Sequence, residues 1–388
     1  MSRVHNKPLI ALWLAGAAAV MLTGFVSHAP NRLLSGSPLR LWEVADAGEL
    51  TSMALLAAAL LGAAFVPSRR SVHALVAIAA GLLIVLALDA AGTAATKLLS
   101  AARPAARTSL AAAFWIVTLC LGLITADAVQ RLKMRPLGRL IATSLAAGAV
   151  VAVAATHRLD DLSIAREYAS HREAFAAELA RHALLVLATV VPALAIGAPL
   201  GVAVARRRAL RQTVFAVLNI LQTIPSIAVF GLLILPLSAL AAKLPALAAF
   251  GIQGIGAAPA ILALVLYALL PIVRNTEAGI AGVDAGVVAA ATGMGLTPRQ
   301  VLWSVELPLG LPVFLAGVRI VLVQTIGLAA VAALIGAGGL GAFMFQGIGQ
   351  YAVDLVLLGA VPTIALALAA DMLMRLAIDA ATVRRPPA

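Results

Sequence analysis

The sequence predicts an all-α polytopic membrane protein of about ten spans, and three observations predict it. Hydrophobic residues fill 63% of the 388 positions against 11% charged, with a mean hydropathy of +1.05, far outside the composition of soluble domains. Apolar runs of about 20 residues, the length that crosses a hydrocarbon core of roughly 30 Å as a helix, recur between charged clusters. Lys and Arg concentrate on alternate loops, as membrane orientation requires.

In chain order, the spans are expected at residues 8 to 26, 50 to 67, 72 to 92, 109 to 129, 138 to 156, 182 to 204, 213 to 241, 257 to 275, 312 to 336 and 353 to 376. The first follows Arg3 and Lys7 and is too long, with no small-residue cleavage site behind it, to read as a signal peptide. It is an uncleaved helix. The fourth holds Cys120, the single cysteine, so no disulfide or thiol pair forms within one chain. With both termini cytoplasmic, 17 of the 28 Lys and Arg lie inside and 10 outside, with Arg319 within the ninth span. Of the 16 acidic residues, 6 fall inside and 10 outside. The inner clusters are Arg131, Lys133, Arg135 and Arg139, then Arg206, Arg207, Arg208 and Arg211, then Arg384 and Arg385. Short juxtamembrane clusters of this kind meet anionic lipid headgroups, which accounts for the basic balance without nucleic acid.

A charged stretch, HRLDDLSIAREYASHREAFAAELAR at 157 to 181, divides five spans from five. The expected organisation is an N-terminal membrane region 1–157, an external charged loop 158–181, a core 182–376 and a cytoplasmic tail 377–388. The core holds the polar and helix-breaking residues Asn219, Gln222, Pro225, Pro271, Arg319 and Gln324 and the glycine-rich GAGGLG at 336 to 341. Such groups in a bilayer must be satisfied by protein or face water. Asn219, Gln222 and Pro225 suit either a cavity wall or polar contact between helices. Arg319 suits a snorkelling anchor, a pathway residue or an interhelical partner. Asp371 and Arg375, four apart, can pair on one helix face. GAFMFQGIGQ after the glycines is too short to span and reads as a short helix near the external mouth.

One inner loop has its own punctuation. Residues 289 to 308 read AAATGMGLTPRQVLWSVELP. Asp284 can cap an Ala-rich turn ending near Thr292, and Gly293 and Gly295 let the chain bend. Thr297, Pro298 and Gln300 then carry the marks of a helix start: an N-cap, a first-turn proline and a capping box. Pro308 should end that helix by Leu307. A helix, a glycine elbow and a second helix are expected, with Val301, Leu302 and Val305 as a contact face.

Enzymatic signals are missing. GTAATKLL at 92 to 99 lacks the second glycine of a phosphate-binding loop, no histidine pair has metal-ligand spacing, and no nucleophile elbow occurs. ATP hydrolysis by this chain is not expected, nor a cofactor. A gradient-driven carrier for small cations would place ionisable groups at the bilayer midplane, whereas the carboxylates here gather at span ends. That carrier and a non-transporting scaffold are the rival readings.

The loop resembles the EAA loop of permease subunits of ABC importers: Glu-Ala-Ala, three residues, Gly, nine residues, Ile, any residue, Leu-Pro. Ala290 and Ala291 take the alanine positions, Gly295 the glycine, Val305 the isoleucine and Leu307-Pro308 the ending, while Ala289 stands where the pattern has Glu. LNILQTIPSIAVFGLLI, ALVLYALLPIVRNTEAGIAGVD, GMGLTPRQVLWSVELPLGLPVFLAGVRI and AALIGAGGLGAFMFQGI resemble the osmoprotectant branch, over roughly residues 178 to 376. The N-terminal helices, with SHAPNRLLSG at 27 to 36, resemble a longer subgroup. The resemblance implies a type I importer core in a bacterial inner membrane, with a second permease, ATP-binding cassette subunits docked on the loop and a periplasmic binding protein. It implies glycine betaine, choline, carnitine or a related quaternary amine as substrate. Quaternary ammonium is usually held in an aromatic cage, and this chain is 4% aromatic. Recognition is therefore expected on the binding protein.

Overall fold

The computed structural model describes residues 4–32, 34–99, 105–134, 136–246 and 251–383, so Arg135, Arg384 and Arg385 of the basic clusters lie outside them. The chain divides into two units, Met1–Ser170 and His171–Ala388.

In the first unit, α1 (Lys7–Leu22) starts under an Asn6 side chain that accepts from Leu9 N–H at 3.2 Å. It ends at Thr23, whose extended backbone carries the chain into a strand. The expected first span is therefore cut to 16 residues. That strand, β1 (Val26–Ala29), lies between β2 (Ser37–Leu39) and β3 (Arg107–Leu110), antiparallel to both, with Val26 opposite Leu39 and Leu110. The otherwise all-α fold thus carries one small sheet that periodicity in the apolar runs did not reveal. A single-turn helix, α2 (Leu41–Val44), leads to α3 (Ala47–Ala63), where Asp46 and Glu49 form a capping box. The long α4 (Arg70–Leu98) packs on α5 (Ala112–Arg131), which also packs on α1. Buried Phe25 meets Phe114 edge-on at 5.8 Å. α6 (Pro136–Ala155) buries almost nothing within the unit, and α7 (Ser163–Ser170) closes it.

In the second unit, α8 runs Arg172–Arg206, α9 Arg208–Thr223, α10 Ser226–Lys243 and α11 Ala257–Ala281. α8 begins within the stretch expected as a charged loop, since FAAELARHALL is a good helix sequence and Glu173 favours the positive N-terminal end of the helix dipole. The expected span 213 to 241 breaks in two. Pro225 forces its predecessor out of the helical region, and Ile224 takes φ −73°, ψ 129°. α11 is the central helix, packed against α8, α9 and α10 and against α14 (Leu307–Val331). Its contact with α8 depends on small residues four apart. A Cβ at Gly197 would lie 2.8 Å from Ile272 and one at Gly201 2.5 Å from Thr276, so the backbones approach as in small-xxx-small packing. α11 and α14 touch backbone to backbone, where a Cβ at Gly310 would lie 2.6 Å from the Gly279 carbonyl.

After α14 come a 3₁₀ turn (Ala332–Ile335), a glycine turn in which Gly336, Gly338 and Gly339 have φ +78°, +76° and +83°, then α15 (Gly341–Gly349) and α16 (Val353–Val383). Among the described residues, eight helices are long and apolar enough to cross a membrane, and α1 and α3 are shorter apolar helices. Of the expected ten spans the first and second fall outside that set, because α1 stops at Thr23 and α3 at Ala63, whereas the span broken at Pro225 still supplies α10.

Candidate functional site

Between α11 and α14 the chain forms two further helices, α12 (Ala285–Gly293) and α13 (Pro298–Val301), on either side of an elbow. The Asp284 carboxylate accepts from Gly286 and Val287 N–H at 2.7 and 3.2 Å and starts α12. Gly295 takes φ +88°, a conformation costly for a side chain, while the space around it is open. Thr297 N–H donates to Gln300 Oε1 at 2.8 Å and closes the capping box, with Pro298 in the first turn. α12 packs on α13 and the turn beyond it.

The expected stop at Leu307 is wrong. The chain passes from α13 through a π turn, Leu302–Glu306, straight into α14, giving one helical run of 38 residues over Pro298–Ile335. The Leu307 N–H donates to Leu302 C=O, five residues back. Pro308 has no N–H and its ring would strike the carbonyl four residues earlier. A widened turn just before it makes room, so the proline is tolerated rather than terminating.

The expected contact face is also rearranged. Val301 on α13 is 4% exposed and Ala291 on α12 is buried, while Leu302, Val305 and Leu307 are half-buried. Ala289, Ala290, Gly293, Pro298 and Pro308 are exposed. The apolar side chains that face outward are Met294 (75%), Trp303 (64%) and Val287 (44%), none of which sequence spacing singled out. They lie on α12, at the elbow and on the π turn. Sequence reasoning missed Glu306 as well. Its carboxylate is 4% exposed and takes both guanidinium nitrogens of Arg206, the last residue of α8, one of them at 3.0 Å.

The remaining predicted residues fall into separate contacts. Gln222 donates to the Tyr267 carbonyl at 3.0 Å, which the missing N–H of Pro271 leaves free. The Tyr267 hydroxyl in turn donates to the Ile224 carbonyl, at the break before Pro225. Two proline interruptions on neighbouring helices thus satisfy each other through one tyrosine. Asn219 accepts from Arg274 at 3.3 Å, and Arg211 binds Glu277 at 3.1 Å. Arg319 pairs across helices with Asp371, which Arg375 also holds at 2.8 Å, so of the open readings the interhelical one describes it. Gln324 is half-buried, with no hydrogen bond to it among the described residues.

Two family profiles match the chain. One, described as binding-protein-dependent transport system inner membrane component, covers residues 195–380, and the other, described as the N-terminal domain of the ABC transporter permease YehY, covers 5–165. The glycine betaine/carnitine/choline transport system permease protein OpuCD of Bacillus subtilis is 40% identical over 51% of this chain and 80% of its own length. The osmoprotectant import permease protein OsmW of Salmonella typhimurium is 41% identical over 50% of this chain and 85% of its own. The carnitine transport permease protein OpuCB of Listeria monocytogenes is 39% identical over 49% and 80%. Among solved structures, a chain of the inward-facing MetNI methionine ABC transporter covers 53% of this chain and 95% of itself at 24% identity, with a TM-score of 0.47.

Proposed function

The chain belongs to the permease subunits of binding-protein-dependent ABC importers, and on that premise we propose that it passes glycine betaine, choline, carnitine or a related quaternary amine inward by alternating access. A permease of this family is not the catalytic subunit, and a gradient-driven carrier is not favoured. In this reading the protein sits in a bacterial inner membrane with both termini cytoplasmic. It works with a second permease, ATP-binding cassette subunits that hydrolyse ATP, and a periplasmic binding protein that selects the substrate. The segment from Asp284 to Pro308 is the part that meets the ATPase. The observation that carries this is the elbow, where two capped helices flank Gly295, the side chains of Val287, Met294 and Trp303 are exposed, and the second helix runs without interruption into a membrane helix. Closure of a partner on that surface biases one of two permease conformations to the extent that its contacts differ between them, and the unbroken run from α13 into α14 offers a route for that difference.

Gly295→Leu tests it. Nothing lies within 4 Å of a Cβ at Gly295, so insertion and folding should persist. The strained elbow, costing on the order of 1 kcal/mol or more, should displace the ATPase-facing surface. In proteoliposomes holding the whole complex, we expect uptake of labelled glycine betaine, choline and carnitine to be lost, and ATP hydrolysis to become indifferent to loaded binding protein. Ala289→Glu, at an exposed position, should be tolerated. Normal uptake in Gly295→Leu would remove the segment from coupling.

A further inference from the structure

α8 is tied down at both ends, and the two ties involve the parts of the second unit that periodicity alone would leave loose. At one end Arg206 grips Glu306 with both guanidinium nitrogens. At the other, Glu178 accepts the Gly339 N–H of the glycine turn. The turn lies so close that a Cβ at Gly338 would be 2.6 Å from Arg181 and one at Gly339 3.1 Å from His182. From 178 to 206, a helix rising about 1.5 Å per residue extends roughly 42 Å, more than a hydrocarbon core. Between these ends α8 packs closely along α11. Glu306 closes the π turn and so moves with the elbow segment, and a two-pronged guanidinium–carboxylate fork fixes direction as well as distance. A single lysine contact would not.

We propose that Arg206 and Glu306 are positioning residues for transport, the joint through which movement of the elbow segment is delivered to α8 and along it to the glycine turn. The proposal rests on the reading of that segment as the ATPase contact. When the ATPase subunits close, the joint shifts α8 along its axis and the glycine turn at the far end is lifted from His182.

The whole complex reconstituted in proteoliposomes tests this, in a Cys120→Ala background that removes the single cysteine. Glu306→Gln keeps the side-chain volume and loses the charge. We expect it to assemble with the ATPase in normal amount and to hydrolyse ATP, with uptake per ATP at least tenfold lower. Arg206→Lys, which keeps the charge without the fork, should retain part of the uptake, and the exchanged pair Arg206→Glu with Glu306→Arg should recover more than either exchange alone. His182→Cys supplies the readout that a merely structural pair would not move. A membrane-impermeant maleimide should label it when ATP and vanadate trap the closed ATPase and spare it without nucleotide. Adding Glu306→Gln should abolish that difference. Unchanged uptake per ATP in Glu306→Gln overturns the proposal, as does nucleotide-independent labelling of His182→Cys. If the single variants fail to assemble, an exchanged pair that restores assembly without restoring uptake also overturns it, and one that restores both supports it. Gly295→Leu separates the two readings: if it uncouples while Glu306→Gln does not, the segment contacts the ATPase but the joint lies elsewhere.

Discussion

At the residue scale, Tyr267 joins two helix breaks in the second unit: it is 8% exposed and bonded at both its hydroxyl and its carbonyl. Removing one partner of a buried hydrogen bond strands the other, at a cost of about 1–3 kcal/mol. Tyr267→Phe strands the Ile224 carbonyl and Gln222→Leu strands the Tyr267 carbonyl. Each should therefore lower the thermal midpoint of the purified protein by an amount matching that cost. Because both contacts close the same pair of breaks, the double variant should lose less than the sum, which a double-mutant cycle on thermal unfolding measures. Strict additivity would mean the two prolines are stabilised separately. The sequence announced the prolines and Gln222 but not their partner. Nothing in a chain of apolar residues indicates which carbonyl 45 positions away a side chain will reach. The same blindness hid Glu306, whose partner Arg206 is 100 residues distant.

At the scale of elements, the helix caps and glycine turns, whose determinants lie within four residues, were read well. The Asp284 cap, the Thr297–Gln300 capping box and the glycine turn before α15 stand where short-range chemistry places them. The stop at Pro308 failed because a proline forbids one geometry, the regular α turn, and a helix can answer by widening rather than ending. That answer has a consequence for the elbow. One residue fewer in the π turn would restore the regular ladder and rotate everything before it by about 100° around the axis of α14. Deleting Ser304 together with Pro308→Ala should thus leave the membrane helix inserted and the surface proposed to meet the ATPase turned aside. We expect normal membrane levels of the permease, less than a tenth of its uptake and weakened copurification of the ATPase. Retention of full uptake would show that the orientation set by the π turn is immaterial.

For the whole molecule, the division after Ser170 falls near the composition change read at residue 157, and the offset arises because α7 and the first turns of α8 fold what looked like a single charged loop. The profile matched at residues 195–380 falls inside the second unit, and OpuCD and OsmW match about half of this chain over most of their own length. A chain starting at His171 should accordingly insert, reach a thermal midpoint within a few degrees of the second-unit transition in the full protein, and copurify with the ATPase. Aggregation of that fragment would make the first unit a requirement for folding. Within the second unit, the bare backbone contact of Gly279 with Gly310 lies at the base of the elbow segment, on the two helices that flank it. With no side chain between the two backbones at that point, α11 and α14 can pivot there in the manner of a fulcrum, and the Asn275 side chain packed against Gly317, two turns along α14, has to shift with them. Some 25 residues, or roughly 37 Å of helix, separate Gly310 from Ile335, so a tilt of about 5° at that crossing would sweep the far end by about 3 Å, enough to open or shut a path for a small solute.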